Sequence, residues 1–127
     1  MRTIKQILLP AVFGFFVGCI YWFATMGSSS IYGINIFHLF IAAAFFGAMM
    51  ANMLSSSSVL RIAFILTLAA EFAIILKIAY DIHFDTSSHN LLGLDIIMSM
   101  FVIAPSSLVG GYVGKSISTL IYTDRNP

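Results

Sequence analysis

Between Lys5 and Arg61 the chain carries no Asp, Glu, Lys or Arg. A helix on the surface of a water-soluble domain needs a polar face, so so long a stretch without charge cannot be a stack of soluble amphipathic helices. The rest of the composition points the same way. Apolar residues make up 60% and charged residues 9%, mean hydropathy is +1.00, and soluble domains carry about 25% charged residues. There is too little charge to coat a globule. The sequence therefore predicts an all-α polytopic membrane protein, a bundle of four transmembrane helices whose solvent is the lipid bilayer.

Turn-forming clusters divide the apolar sequence into spans. The first runs over 7–26 and ends at Gly27-Ser28-Ser29-Ser30; the second runs over 33–54 and ends at Ser55-Ser56-Ser57-Ser58. The third runs over 59–80 and is followed by the polar stretch from Asp81 to Asn90. The fourth apolar stretch, from Leu91 to Tyr122, is longer than the hydrocarbon needs. Residues 95–115 suffice to span, and Pro105 falls near the middle. With no linker or repeat between units, 1–127 reads as a single transmembrane domain.

Arg2 and Lys5 before an apolar run resemble the start of a secretory signal peptide, but the run continues to Met26 with no small-x-small cleavage site. Val17-Gly18-Cys19 imitates the end of a lipobox, yet Phe16 fits poorly before it. Ile20-Tyr21-Trp22-Phe23 after it stays apolar, so Cys19 reads as a small buried thiol. Orientation follows from the positive charges, since Lys and Arg in short loops stay in the cytoplasm. Four spans put Arg2, Lys5, Arg61, Lys115 and Arg125 on one side. Both termini are then cytoplasmic, and the membrane is the inner one if the source is bacterial. Lys77 is the exception, four residues before Asp81 and able to pair with it. Tyr21, Trp22, Tyr32, Tyr80, Tyr112 and Tyr122 all fall at expected span ends, where aromatic residues with a polar handle belong.

Close approach of helices in lipid depends on small residues. Gly14 and Gly18 mark such a face on the first span, Ala43, Gly47 and Ala51 on the second, and Ser106, Gly110 and Gly114 on the fourth, continued by Ser118. These faces serve packing within one bundle or a seam with a second copy or another membrane protein.

Glu71 is the strongest chemical pointer, about ten residues from both Arg61 and Asp81 and so near the middle of its span. A carboxylate there costs several kcal/mol unless it is paired, protonated or wetted. It reads either as a proton or ion site or as a protonated group bonded to a neighbouring helix. Thr67 lies one turn away, and Ser99, Ser106 and Ser107 are candidate partners. His38 and Asn35, three residues apart, share a face of the second span and suggest a helix-to-helix hydrogen bond. Asp81, His83 and Asp85 alternate, so in an extended segment they would converge on a divalent cation with His89 completing the shell. A haem or metal held by His38, His83 and His89 is the related reading; no motif calls for a cofactor.

No nucleophile with its base, phosphate loop, zincin helix or dinucleotide fingerprint appears, which argues against an enzyme. The six Lys and Arg are scattered, so no basic stripe exists for nucleic acid. In size and span count the chain is similar to small multidrug transporters, whose essential glutamate lies in the first span, where this sequence has Gly14 and no acid. It is also similar in size to small four-span flippase-like and toxin-immunity proteins, without a motif that ties it to either. Three functions follow in order. The first is a bundle acting by helix contact, as a subunit, assembly factor or protective, immunity-like partner of a membrane complex or of itself. The second is an oligomeric transporter or channel that uses Glu71 for proton or cation coupling. The third is the metal or haem site.

Overall fold

The computed structural model describes residues 2–23, 30–55, 57–84 and 92–123, and the side chains of these apart from Arg2 and Leu92. Helix α1 covers Arg2–Cys19 and tightens into a 3₁₀ turn over Ile20–Phe23. A two-residue hairpin follows, β1 (Ser30–Ile31) antiparallel to β2 (Ile34–Asn35). Its turn places Tyr32 at φ 50 and Gly33 at φ 80, the paired left-handed conformation that a two-residue hairpin requires. Helices α2 (Ile36–Ser55), α3 (Val59–Phe84) and α4 (Leu92–Thr123) complete the chain.

Four helices are thus long and apolar enough to cross a membrane. At 1.5 Å per residue α2 spans about 30 Å, α3 about 39 Å and α4 about 48 Å. Their boundaries differ from the sequence expectation for local reasons. The first helix stops at Cys19 rather than Met26, and residues 24–29 lie outside those described. Gly33 belongs to the hairpin turn, so the second helix opens at Ile36, where the Phe37 amide donates to Asn35 Oδ1 at 2.9 Å, an N-cap. Ser58 caps α3 in the same way, its Oγ accepting from the Arg61 amide at 3.3 Å. That helix continues a turn past Tyr80, to Phe84, through Asp81 and His83.

Around the bundle the order is α1, α2, α4, α3: α1 packs on α2 and α3, and α4 packs on α2 and α3. The consecutive helices α2 and α3 therefore lie mostly across a diagonal. The glycines decide these neighbours. A Cβ at Gly14 would fall 2.9 Å from Leu66 Cα, and one at Gly18 would fall 2.7 Å from Ala73 Cβ, so α1 lies directly on the α3 backbone. A Cβ at Gly110 would meet Phe45 Cα at 2.8 Å and one at Gly114 would meet Met49 Cα at 2.9 Å, which seats α4 on α2. Between these two seams lies one apolar core, with Phe40, Ala44, Ala48 and Ala51 of α2, Ile62, Leu66 and Ile74 of α3, Ile103 of α4 and Val17 of α1.

Candidate functional site

Polar side chains are concentrated where α3 faces α4. On α3 the residues Thr67, Glu71, Ile74, Ile78 and Asp81 recur at three- and four-residue intervals and so share a face. All but Asp81 are buried, and Asp81 is half-buried. Glu71, 7% exposed, meets Ser99 of α4, 2% exposed. Ser99 Oγ lies 2.9 and 3.1 Å from the two Glu71 oxygens and 2.9 Å from the Ile96 carbonyl oxygen. Ser106 and Ser107 are not its partners: their hydroxyls donate to the carbonyls of Val102 and Ile103, both at 2.7 Å.

Toward the hairpin end a second set of contacts closes over this seam. The 3₁₀ turn after α1 aims consecutive side chains at two different helices. The Tyr21 hydroxyl donates to Asp95 Oδ2 of α4 at 2.8 Å, and Trp22 Nε1 donates to the Ala73 carbonyl of α3 at 3.1 Å. Lys77 pairs with Asp81, and its ammonium lies 5.8 Å from the Trp22 ring centre and 5.6 Å from that of Tyr80. At that range a cation is attracted by the ring faces. Toward the end that holds Lys5 and Lys115, polar atoms of α2, of α3 and of the residues between them have no protein partner. Asn52 Nδ2, Ser57 Oγ and Thr67 Oγ1 are buried and unbonded among the described residues.

Other sequence candidates fall elsewhere. His38 is exposed, and Asn35 caps its own helix, α2, through the Phe37 amide. The stretch expected to be extended from Asp81 is helical as far as Phe84. Two residues on a helix are about 200° apart, so Asp81 and His83 diverge. Asp81 is held by Lys77, and His83 is exposed with its ring 5.0 Å from that of Phe84. Asp85 and His89 lie outside the described residues. Among the described residues no group of three His, Cys, Asp or Glu is arranged to hold a metal.

The small residues divide between the interior and one groove. Gly14, Gly18, Gly110, Gly114 and Ala51 are buried inside the bundle, and Ser106 is half-buried on α4. Ala43, half-buried, and Gly47, itself buried, help to line a groove of about 290 Å³ between α1 and α2, with Phe13, Phe16, Val17, Phe46 and Met50. At Gly47 a Cβ would sit 3.5 Å from Leu66 Cδ1 and Phe13 Cβ, an ordinary contact distance.

Comparison with known proteins finds no matching family model, no matching curated protein and no matching solved structure. The residues that sequence reasoning passed over are Tyr21, Trp22 and Asp95. Tyr21 and Trp22 read as interfacial anchors by type, and nothing in the linear sequence pairs Tyr21 with an acid 74 positions away.

Proposed function

We propose that this chain is a multi-pass membrane protein, both termini cytoplasmic, that acts by helix-to-helix contact as a subunit, assembly or protective partner of a membrane complex. The observation that carries this reading is the groove between α1 and α2. Half-buried Ala43 is the small residue that keeps it open, a position where a further helix can come close, and Phe13, Phe16, Phe46 and Met50 border it. The other glycine faces are occupied by the bundle's own backbone. The α1 segment is also the least buried of the four apolar segments, as fits a helix with a neighbour still to come.

Membrane residence is supported by the outer surface: Phe16, Phe64 and Phe101 are 67%, 66% and 74% exposed. The orientation is supported by Lys5, Arg61 and Lys115 at the end of the bundle that carries the termini, opposite Asp81 and Asp95. A reporter fused at Ser57 falls on the cytoplasmic side with one fused after Thr123; opposite sides would refute the four-span reading.

The contact itself is tested in native membranes with a photoreactive residue placed at Phe16 or Phe46, and at Phe101 as a control outside the groove. Adducts to one discrete protein from the groove positions, lost when Ala43→Phe fills the groove, are the expected result. The mass of the adduct says whether a second copy or another protein supplies the helix. Adducts to lipid alone, or equal protein adducts from Phe101, overturn the reading.

A further inference from the structure

Glu71 faces the interior on the α3/α4 seam and takes no part in the α1/α2 groove. We propose that Glu71, Ser99 and Thr67 form a proton-exchange site, in which the Glu71 carboxyl releases its proton to a water held by Thr67 and takes it back.

Ser99 stands between the Glu71 carboxyl and the Ile96 carbonyl. Its oxygen lies within bonding distance of both Glu71 oxygens and of the Ile96 carbonyl, but a hydroxyl has one proton to give. Two arrangements satisfy the same heavy-atom positions. With Glu71 neutral, the carboxyl donates to Ser99 Oγ and Ser99 donates to Ile96. With Glu71 ionised, the Ser99 proton turns to the carboxylate, and the Ile96 carbonyl keeps its backbone helix bond. One proton and one hydroxyl rotation separate the two states, so the fold holds both without moving an atom of the backbone.

Thr67 supplies the second observation. Ser55, Ser106, Ser107, Ser116, Thr119 and Thr123 all fold their hydroxyls onto the carbonyl four residues earlier. Thr67 does not: it is 4% exposed, yet its Oγ1 has no protein partner. It stands one turn from Glu71 on the same face, where their Cβ atoms are about 6 Å apart. That gap suits one bridging water, and an orphaned buried polar atom is what such a water satisfies. Asn52 Nδ2 and Ser57 Oγ extend the unpaired polar atoms toward the terminal end, with Asn52 Nδ2 3.7 Å from the point a Gly111 Cβ would occupy.

The surrounding charges leave Glu71 free to exchange. On α4, Asp95 lies one turn from Ser99 and is bonded to Tyr21 from the α1 segment. On α3, Lys77 is committed to Asp81. Cys19 at the end of α1 is half-buried and His38 on α2 is exposed. Among the described residues no cation pairs with Glu71. The step balances: the carboxyl O–H turns from Ser99 to the water and breaks, the water gains the proton, and the carboxylate gains the Ser99 hydrogen bond.

Infrared spectroscopy of the intact protein in lipid vesicles tests this, with the Glu71 C=O stretch assigned as the carboxyl band lost in Glu71→Gln. The band should shift when the vesicles are moved to D₂O, before the α3 amides exchange. Ser99→Ala should move it to higher frequency, because the carboxyl loses its acceptor. Thr67→Val should slow its deuteration about tenfold, the occupancy lost with a hydrogen bond of about 1.4 kcal/mol. The proposal is overturned if no Glu71 band is found between about pH 5 and about pH 9. It is equally overturned if the band exchanges only with the α3 amides, or if Thr67→Val deuterates at the wild-type rate.

Discussion

Adding one methyl group to a helical glycine separates the two seams from the groove. Alanine in place of glycine in a helix gains about 1 kcal/mol of intrinsic preference, so a site with room should be stabilised by up to that amount. Gly47 is such a site, since its new Cβ would touch Leu66 Cδ1 and Phe13 Cβ at 3.5 Å. At Gly110 the same methyl would lie 2.8 Å from Phe45 Cα and C, backbone atoms that cannot swing aside. Overpacking costs about 1–3 kcal/mol where the neighbour gives way, and a rigid neighbour puts Gly110 at the top of that range. The net expectation is a loss of about 2 kcal/mol for Gly110→Ala and a change between zero and a gain of about 1 kcal/mol for Gly47→Ala. Gly114, whose Cβ would lie 2.9 Å from Met49 Cα, occupies the same seam. Gly110→Ala and Gly114→Ala combined should therefore cost less than the sum of the two, because one displacement of α4 relieves both. Reversible unfolding in detergent, with the same denaturant series for each variant, measures all of these. Equal costs at Gly47 and Gly110, or a Gly110→Ala protein as stable as the parent, would refute the packing argument.

Two further expectations concern the hairpin end. Tyr21→Phe removes the donor to Asp95 and should cost about 1 kcal/mol in the same unfolding measurement; an unchanged midpoint would mean that water replaces the hydroxyl at no cost. Asn35→Ala should cost about 1 kcal/mol and speed hydrogen exchange of the Phe37 amide, whereas Asn35→Asp should retain the cap.

The four helices were legible in the sequence because apolar runs separated by Ser and Gly clusters survive any tertiary arrangement. Their ends were less so. Gly33 and Asn35 read as the opening of a helix, but the turn at Tyr32 and Gly33 and the cap at Asn35 depend on backbone geometry that hydropathy does not encode. Asp81 and His83 looked like loop residues by polarity, but the helix runs through them to Phe84, with Lys77 and Asp81 paired one turn apart. Small residues announced that helices approach closely, but not which ones. The partners of Gly14 and Gly110 are backbone atoms of Leu66 and Phe45, and a backbone atom leaves no trace in residue type. At the site, Glu71 and Thr67 stood out singly, and Ser99 was one of three serines on the fourth helix that qualified as a partner. The structure distinguishes them by register: Ser99 faces α3, while Ser106 and Ser107 turn back on their own helix.

The diagonal placement of α2 and α3 bears on how the chain is completed during synthesis. When the third helix has emerged, α1 can already settle on it through Gly14 and Gly18, but Glu71 still lacks Ser99 and the Phe45 to Met49 stretch of α2 is uncovered. Both needs are met by α4, which follows α3 in the chain. Until residue 99 has taken its place, the acid on α3 has no side-chain partner from another helix.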